Sequence, residues 1–144
     1  MSVRTGTLLN YADISKELGI DQRTAKIWIG GLERSGIVKL LEPYYRNPTN
    51  SIIKTPKIYF LDNGLCSFLA KMNSPGILEA EYMDARILET YAFIEILKSY
   101  WHNGKEPNIY FYRDKEQREI DFIIEDGGVL YPIEVKKNDL PFKK

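Results

Sequence analysis

The run Asp126-Gly127-Gly128, set between two apolar-rich stretches, is the feature that most constrains how this chain folds. Glycine adopts positive φ at no steric cost, so such a run marks a two-residue turn between antiparallel strands. The strands on either side are predicted over 118–125 and 129–137. Strand side chains alternate faces, so Glu134 and Lys136 project the same way. A Gly127-Gly128 loop sets Asp121 directly opposite Glu134. An Asp126-Gly127 loop sets it opposite Pro132, still on the side of Glu134. Either loop places two carboxylates and an ammonium on one face.

Charge pairs on a wet sheet face are common and contribute only ~0.2–1 kcal/mol each. Here, however, both faces carry apolar groups. Ile120, Phe122 and Ile124 lie on one side of the first strand, with Ile123 beside Asp121 on the other. Tyr131, Ile133 and Val135 oppose Leu130 and Pro132 on the second. A sheet covered on both faces would leave those charges lining a cleft.

Glu89 is the third acid of interest. On the helix predicted over 84–100 its neighbours are Ala85, Ala92, Phe93 and Ile96, and a carboxylate on an apolar stripe is costly unless paired. Glu95, among Tyr91, Lys98 and Ser99, reads as a solvated residue by contrast. Glu89 is therefore expected to approach Asp121 and Glu134 where the helix packs on the sheet. The competing reading is a helix-edge glutamate bonded to a backbone group or an arginine.

Clustered carboxylates suit Mg²⁺ or Mn²⁺, which keeps several waters and supplies both a nucleophile and charge stabilisation for phosphodiester cleavage. Lys136 would orient the attacking water or balance the phosphate. The candidate catalytic set is thus Glu89, Asp121, Glu134 and Lys136, with Asp121 and Glu134 as metal ligands.

The first half of the chain has a different grammar. Residues 10–36 predict two short helices: one with Ala12, Ile14 and Leu18, Asn10 or Asp13 as cap and Gly19 as stop; the other opening at Asp21 and carrying Ala25, Trp28, Ile29 and Leu32. Strands are expected over 37–41 and 57–60. Two helices and then a hairpin outline a winged helix-turn-helix. Only Thr7-Leu8-Leu9 stands where its preceding helix would be, so the chain is expected to begin inside a larger protein. A connecting helix is predicted from Asp62 to Lys71, with Leu65, Phe68 and Leu69 inward, and Asn73-Ser74-Pro75-Gly76 marks the boundary between domains 1–72 and 77–144. The second domain reads as one helix followed by a three-stranded antiparallel meander over 109–113, 118–125 and 129–137. Asp114-Lys115-Glu116-Gln117 turns its first strand pair.

Net charge is zero, but residues 1–60 hold nine Lys/Arg against five Asp/Glu, leaving +4 there and −4 in the remainder. Arg23, Lys26 and Arg34 on the second helix, with Arg46 near the hairpin loop, are the candidate nucleic-acid contacts. The rival is a module that packs only on protein, with Trp28 and Ile29 in its core. A lone Cys66 and a lone His102 exclude an internal disulfide and the usual Cys/His zinc sites. No segment is long enough to span a bilayer, and a soluble cytoplasmic protein is expected. No G-x-x-x-x-G-K-[ST] run occurs, so no P-loop ATP site is expected.

Glu89, then Asp121, then Glu134-Val135-Lys136 resembles the PD-(D/E)XK nuclease superfamily, whose core sets a glutamate-bearing helix beside a sheet carrying D and E-x-K. More closely, the chain resembles the uncharacterised C-terminal domain found behind many prokaryotic AAA-type ATPase domains. The segments that carry this are Thr24-Ala25-Lys26-Ile27-Trp28-Ile29, Lys54-Thr55-Pro56-Lys57-Ile58-Tyr59-Phe60-Leu61-Asp62-Asn63-Gly64-Leu65, Phe111-Tyr112-Arg113-Asp114, Glu119-Ile120-Asp121-Phe122 and Ile133-Glu134-Val135-Lys136. The resemblance implies an α+β chain: a partial winged helix-turn-helix followed by a restriction-endonuclease-like helix and meander, truncated at both ends. It also implies an upstream AAA ATPase domain as partner. The function expected is nucleic-acid binding with Mg²⁺-dependent cleavage, or else a non-catalytic interaction domain that keeps a nuclease-like fold.

Overall fold

Short polar side chains set the helix starts. Asn10 accepts hydrogen bonds from the Ala12 and Asp13 backbone N–H groups, Asp21 from Thr24, and Asp62 from Leu65, at the first turns of α1 (Tyr11–Leu18), α2 (Gln22–Arg34) and α3 (Asn63–Leu69). Gly19, at φ 65°, closes α1 in the left-handed conformation expected of a helix stop. The computed structural model describes residues 4–45, 53–72 and 83–137. The remaining elements are β1 (Thr7–Leu8), β2 (Val38–Leu41), β3 (Lys57–Phe60), α4 (Asp84–Trp101), β4 (Ile109–Arg113), β5 (Glu119–Asp126) and β6 (Val129–Ile133). Among the described residues this is a mixed α+β arrangement of four helices and two antiparallel three-stranded sheets, ordered β1-β3-β2 and β4-β5-β6. None of these helices is long and apolar enough to cross a membrane.

All four residues of β3 are buried, because it is the central strand of its sheet and is covered on both faces. Ile58 and Phe60 face a first core with Leu9, Ile14, Ala25, Ile29, Val38 and Cys66. Tyr59 belongs to a second core with Leu41, Phe93, Leu97, Ile109, Phe111 and Phe122. The second core therefore draws on both halves of the chain. Its centre is aromatic: Phe93 stacks on Phe122 with ring centroids 5.6 Å apart, and Tyr59 lies 4.5 Å from Phe93. Backbone bonds reinforce the seam, since the Tyr44 N–H donates to the Phe111 carbonyl at 2.6 Å and the Phe111 N–H to that of Glu42 at 3.2 Å. The expected domain boundary at 73–76 lies outside the described residues.

Three readings change. Thr7 and Leu8, read only as too short to supply the preceding helix, form a third strand opposite Ile58 and Lys57; two residues carry no periodicity, and only the neighbouring strand makes them one. In α3 the inward residue is Cys66, fully buried, while Leu65, Phe68 and Leu69 are exposed. A helix turns ~100° per residue, so Phe68 stands about 200° from Cys66 and is 74% exposed. In α2 the buried stripe is Ala25 and Ile29, and Trp28, one position off it, is 54% exposed.

Because Phe93 sits where both halves meet, Phe93→Ala is expected to cost about 3–5 kcal/mol. Urea denaturation checks this. A cost below about 1 kcal/mol would mean that the aromatic cluster does not hold the halves together.

Candidate functional site

Alternation along β3 delivers two polar heads to one place. Lys57 and Tyr59, two residues apart, both leave the face opposite Ile58 and Phe60 and both reach Glu89 on α4. The Lys57 ammonium donates to Glu89 Oε1 at 3.0 Å, and the Tyr59 hydroxyl donates to the same oxygen. The ammonium also pairs with the Glu119 carboxylate on β5, which pairs in turn with Arg113 of β4 at 3.4 Å. Lys57 is only 2% exposed and lies 5.4 Å from the Phe111 ring centroid. Two cations and two anions thus alternate along Arg113–Glu119–Lys57–Glu89. One wall of a cleft of about 690 Å³ is built from them, and Arg4 and Glu17, paired at 2.6 Å, also line it.

Burial pushes the Lys57 ammonium down, but Glu89 and Glu119 outweigh it, so its pKa ends above the usual lysine range. Burial also lifts the Glu89 carboxyl; Lys57 and Tyr59 offset part of that rise, and Asp121 adds to it. The Tyr59 phenol is driven far above the tyrosine range by burial and by Glu89.

The register settles the loop choice. Asp126 faces Val129 and Phe122 faces Ile133, so Gly127-Gly128 is the turn. On the other side of β5 the register slips: Tyr110 faces Ile123 and Tyr112 faces Ile120, leaving Asp121 and Phe122 together opposite Phe111. This is a β-bulge, a device that re-aims side chains. Asp121 then lies near enough to Glu89 and Tyr59 for its charge to raise both pKa values, although Phe122, its neighbour, is in the core beside them. Its Oδ2 accepts the Val135 N–H at 2.8 Å.

The expected set therefore gathers only in part. Of that set, Asp121 is close enough for its charge to act on Glu89. Ile133 and Val135 pack on the second core, while Glu134 between them and Lys136 beyond are exposed, past the end of β6. No group of three or more His, Cys, Asp or Glu among the described residues could hold a metal ion. Glu89 Oε1 is already bonded to Lys57 and Tyr59, and Asp121 Oδ2 to a backbone N–H. Arg23, Lys26 and Arg34 are exposed on α2; Arg46 lies outside the described residues.

Sequence reading missed Lys57, Tyr59, Glu119 and Arg113. The signal was present: a lysine inside a four-residue strand whose other members are all apolar or aromatic needs a buried anion. Asp84 was missed as well. At the first turn of α4 it receives Lys137 at 2.6 Å, so the amine that ties this end of the chain to the helix is the one after Lys136.

Lys57→Met should cost about 3–5 kcal/mol at neutral pH, since it strands a half-buried carboxylate. Part of the loss should return on acidification. A carboxyl whose folded pKa is raised stabilises the fold as pH falls through that value. Wild-type stability should fall as pH rises above ~10, where unfolded lysine and tyrosine lose protons that folded Lys57 and Tyr59 keep. Urea midpoints at pH 5, 8 and 10.5 check all three; a variant as stable as wild type at pH 8 would remove Lys57 from its central role.

Comparison with known proteins adds lineage. The model of a domain of unknown function, DUF8612, matches residues 1–76, and that of another, DUF4143, matches residues 85–142. Two curated proteins, uncharacterized protein Mb2031c of Mycobacterium bovis and uncharacterized protein Rv2008c of Mycobacterium tuberculosis, are each 25% identical over 136 residues, covering 94% of this chain. The chain spans 30% of the length of each. No solved structure matches it significantly. A first half packed around β3 and covered over its whole length by one family model makes the conclusion plain: the chain belongs to the DUF8612 domain family.

Proposed function

We propose that the chain is a non-catalytic interaction module, the C-terminal part of an AAA-type ATPase, in which a nuclease-like framework has been converted into an ion-paired scaffold. The observation that carries this is Lys57. Its ammonium engages Glu89, the helix glutamate of the expected catalytic set, and holds it together with Glu119 in a structural ion pair. The match of DUF4143 to residues 85–142 supports the link to an ATPase parent. The α1–α2 pair followed by the β2–β3 hairpin supports a winged-helix origin for the first half, and α4 packed on β4-β5-β6 supports a nuclease-like origin for the second.

The exposed face of α2 favours protein over nucleic acid as its partner. Arg23, Lys26 and Arg34 give it charge, but Ile27 (58% exposed) and Trp28 stand among them, and phosphate offers neither an apolar surface to meet. A second reading, Mg²⁺-dependent phosphodiester cleavage, is favoured by one feature: Asp121, on the strand that carries the bulge, is close enough for its charge to act on Glu89. It requires Lys57 to withdraw.

Two measurements on the intact parent protein separate these readings. Calorimetry with Mn²⁺ should give the same heat for wild type and for the Asp121→Ala and Glu134→Ala variants. Incubation with DNA and RNA, with and without ATP and Mg²⁺, should leave both uncut. Metal heat lost in either variant, or cleavage lost in Lys136→Ala, would establish the catalytic reading instead.

A further inference from the structure

A second pocket, of about 570 Å³, opens at the seam between the two sheets and is lined by Glu42, Pro43, Tyr44, Tyr45, Tyr110 and Glu125. Its composition is one-sided. Three phenol rings and two carboxylates meet there, and none of the described residues lining it is a lysine or arginine. Neither carboxylate has an ion-pair partner among the described residues. The walls are fixed by backbone. The Glu42–Tyr44 segment runs beside β4 through the Pro43–Phe111 bridge and its two hydrogen bonds, and the Glu125 N–H donates to the Asn108 carbonyl at 2.9 Å. Tyr44 and Tyr110 meet edge to face with centroids 5.6 Å apart. The register sets Tyr110 opposite Ile123, and Glu125 two residues along the same strand, so both face this side of the sheet.

We infer that this pocket binds the guanidinium of an arginine side chain presented by a protein partner. Tyrosine faces attract cations, and two carboxylates with no ion-pair partner among the described residues supply the opposite charge. A guanidinium suits the site better than an ammonium. It is planar, weakly hydrated, stacks on rings and forks onto a carboxylate, so it satisfies both kinds of wall at once. The volume lies within the range that accommodates whole small ligands, leaving room for the side chain and some flanking backbone. The inference names a partner chemistry for the interaction reading and rests on it, but its test reads a different pocket from the metal and cleavage assays.

The test is calorimetric titration of the intact chain with a Gly-Gly-Arg-Gly-Gly peptide, its lysine and citrulline counterparts, and free arginine. The arginine peptide should bind, the lysine peptide several-fold more weakly and the citrulline peptide by a factor of about ten or more. The double variant Glu42→Gln/Glu125→Gln should weaken arginine-peptide binding about tenfold, with circular dichroism confirming an unchanged fold. Tyr110→Leu should weaken it independently. No binding of the arginine peptide at millimolar concentration, equal binding of the citrulline peptide, or equal affinity in the double variant would each overturn the proposal. Free arginine binding as tightly as the peptide would overturn the assignment to a protein partner.

Discussion

A charged lysine with almost no contact with water is the constraint to which the rest of the architecture conforms. Burying an ammonium is prohibitive unless anions come with it. Lys57 obtains them from two elements distant in sequence, Glu89 on α4 and Glu119 on β5, and Tyr59 shares the first of them. Each contact crosses from the first sheet to the second core. A buried ion cluster contributes little net energy by comparison with an apolar replacement, but any other seating of α4 would take Glu89 from Lys57 and leave it with Glu119 alone. The adjacent aromatic cluster of Tyr59, Phe93 and Phe122 then supplies burial energy in a geometry already chosen by charge.

That division of labour explains what could be read from the sequence. Local signals came through well. Asn10, Asp21 and Asp62 cap helices at the expected places, and Gly127-Gly128 makes the turn. Glu89 stood out because its helical neighbours are apolar, and it is indeed held by a buried partner. Which partner was not legible, because Lys57 lies 32 residues away and no periodicity links them. Asp121 shows the same limit. Strict alternation assigns it to the face of Glu134, but a bulge opposite Phe111 interrupts alternation, and nothing in Glu119-Ile120-Asp121-Phe122 marks it. The outward turn of Trp28 and Phe68 likewise reflects where neighbours happen to pack, which helix composition does not encode.

The bulge matters beyond Asp121. Phe111 is its partner on β4, and the same residue contributes its ring to the wall beneath Lys57 and its backbone to the segment that frames the tyrosine pocket. Tyr110, next in the strand, points to the opposite side. Two sites on opposite faces therefore share one short stretch of backbone.

Such sharing has a thermodynamic consequence. A ligand changes an equilibrium only by the difference in its affinity for the two states. The tyrosine pocket exists only while the Glu42–Tyr44 segment lies along β4, and that alignment also holds the first sheet against the second core. An occupant of the pocket would accordingly stabilise the seam. The buried ammonium is then the latch between the halves.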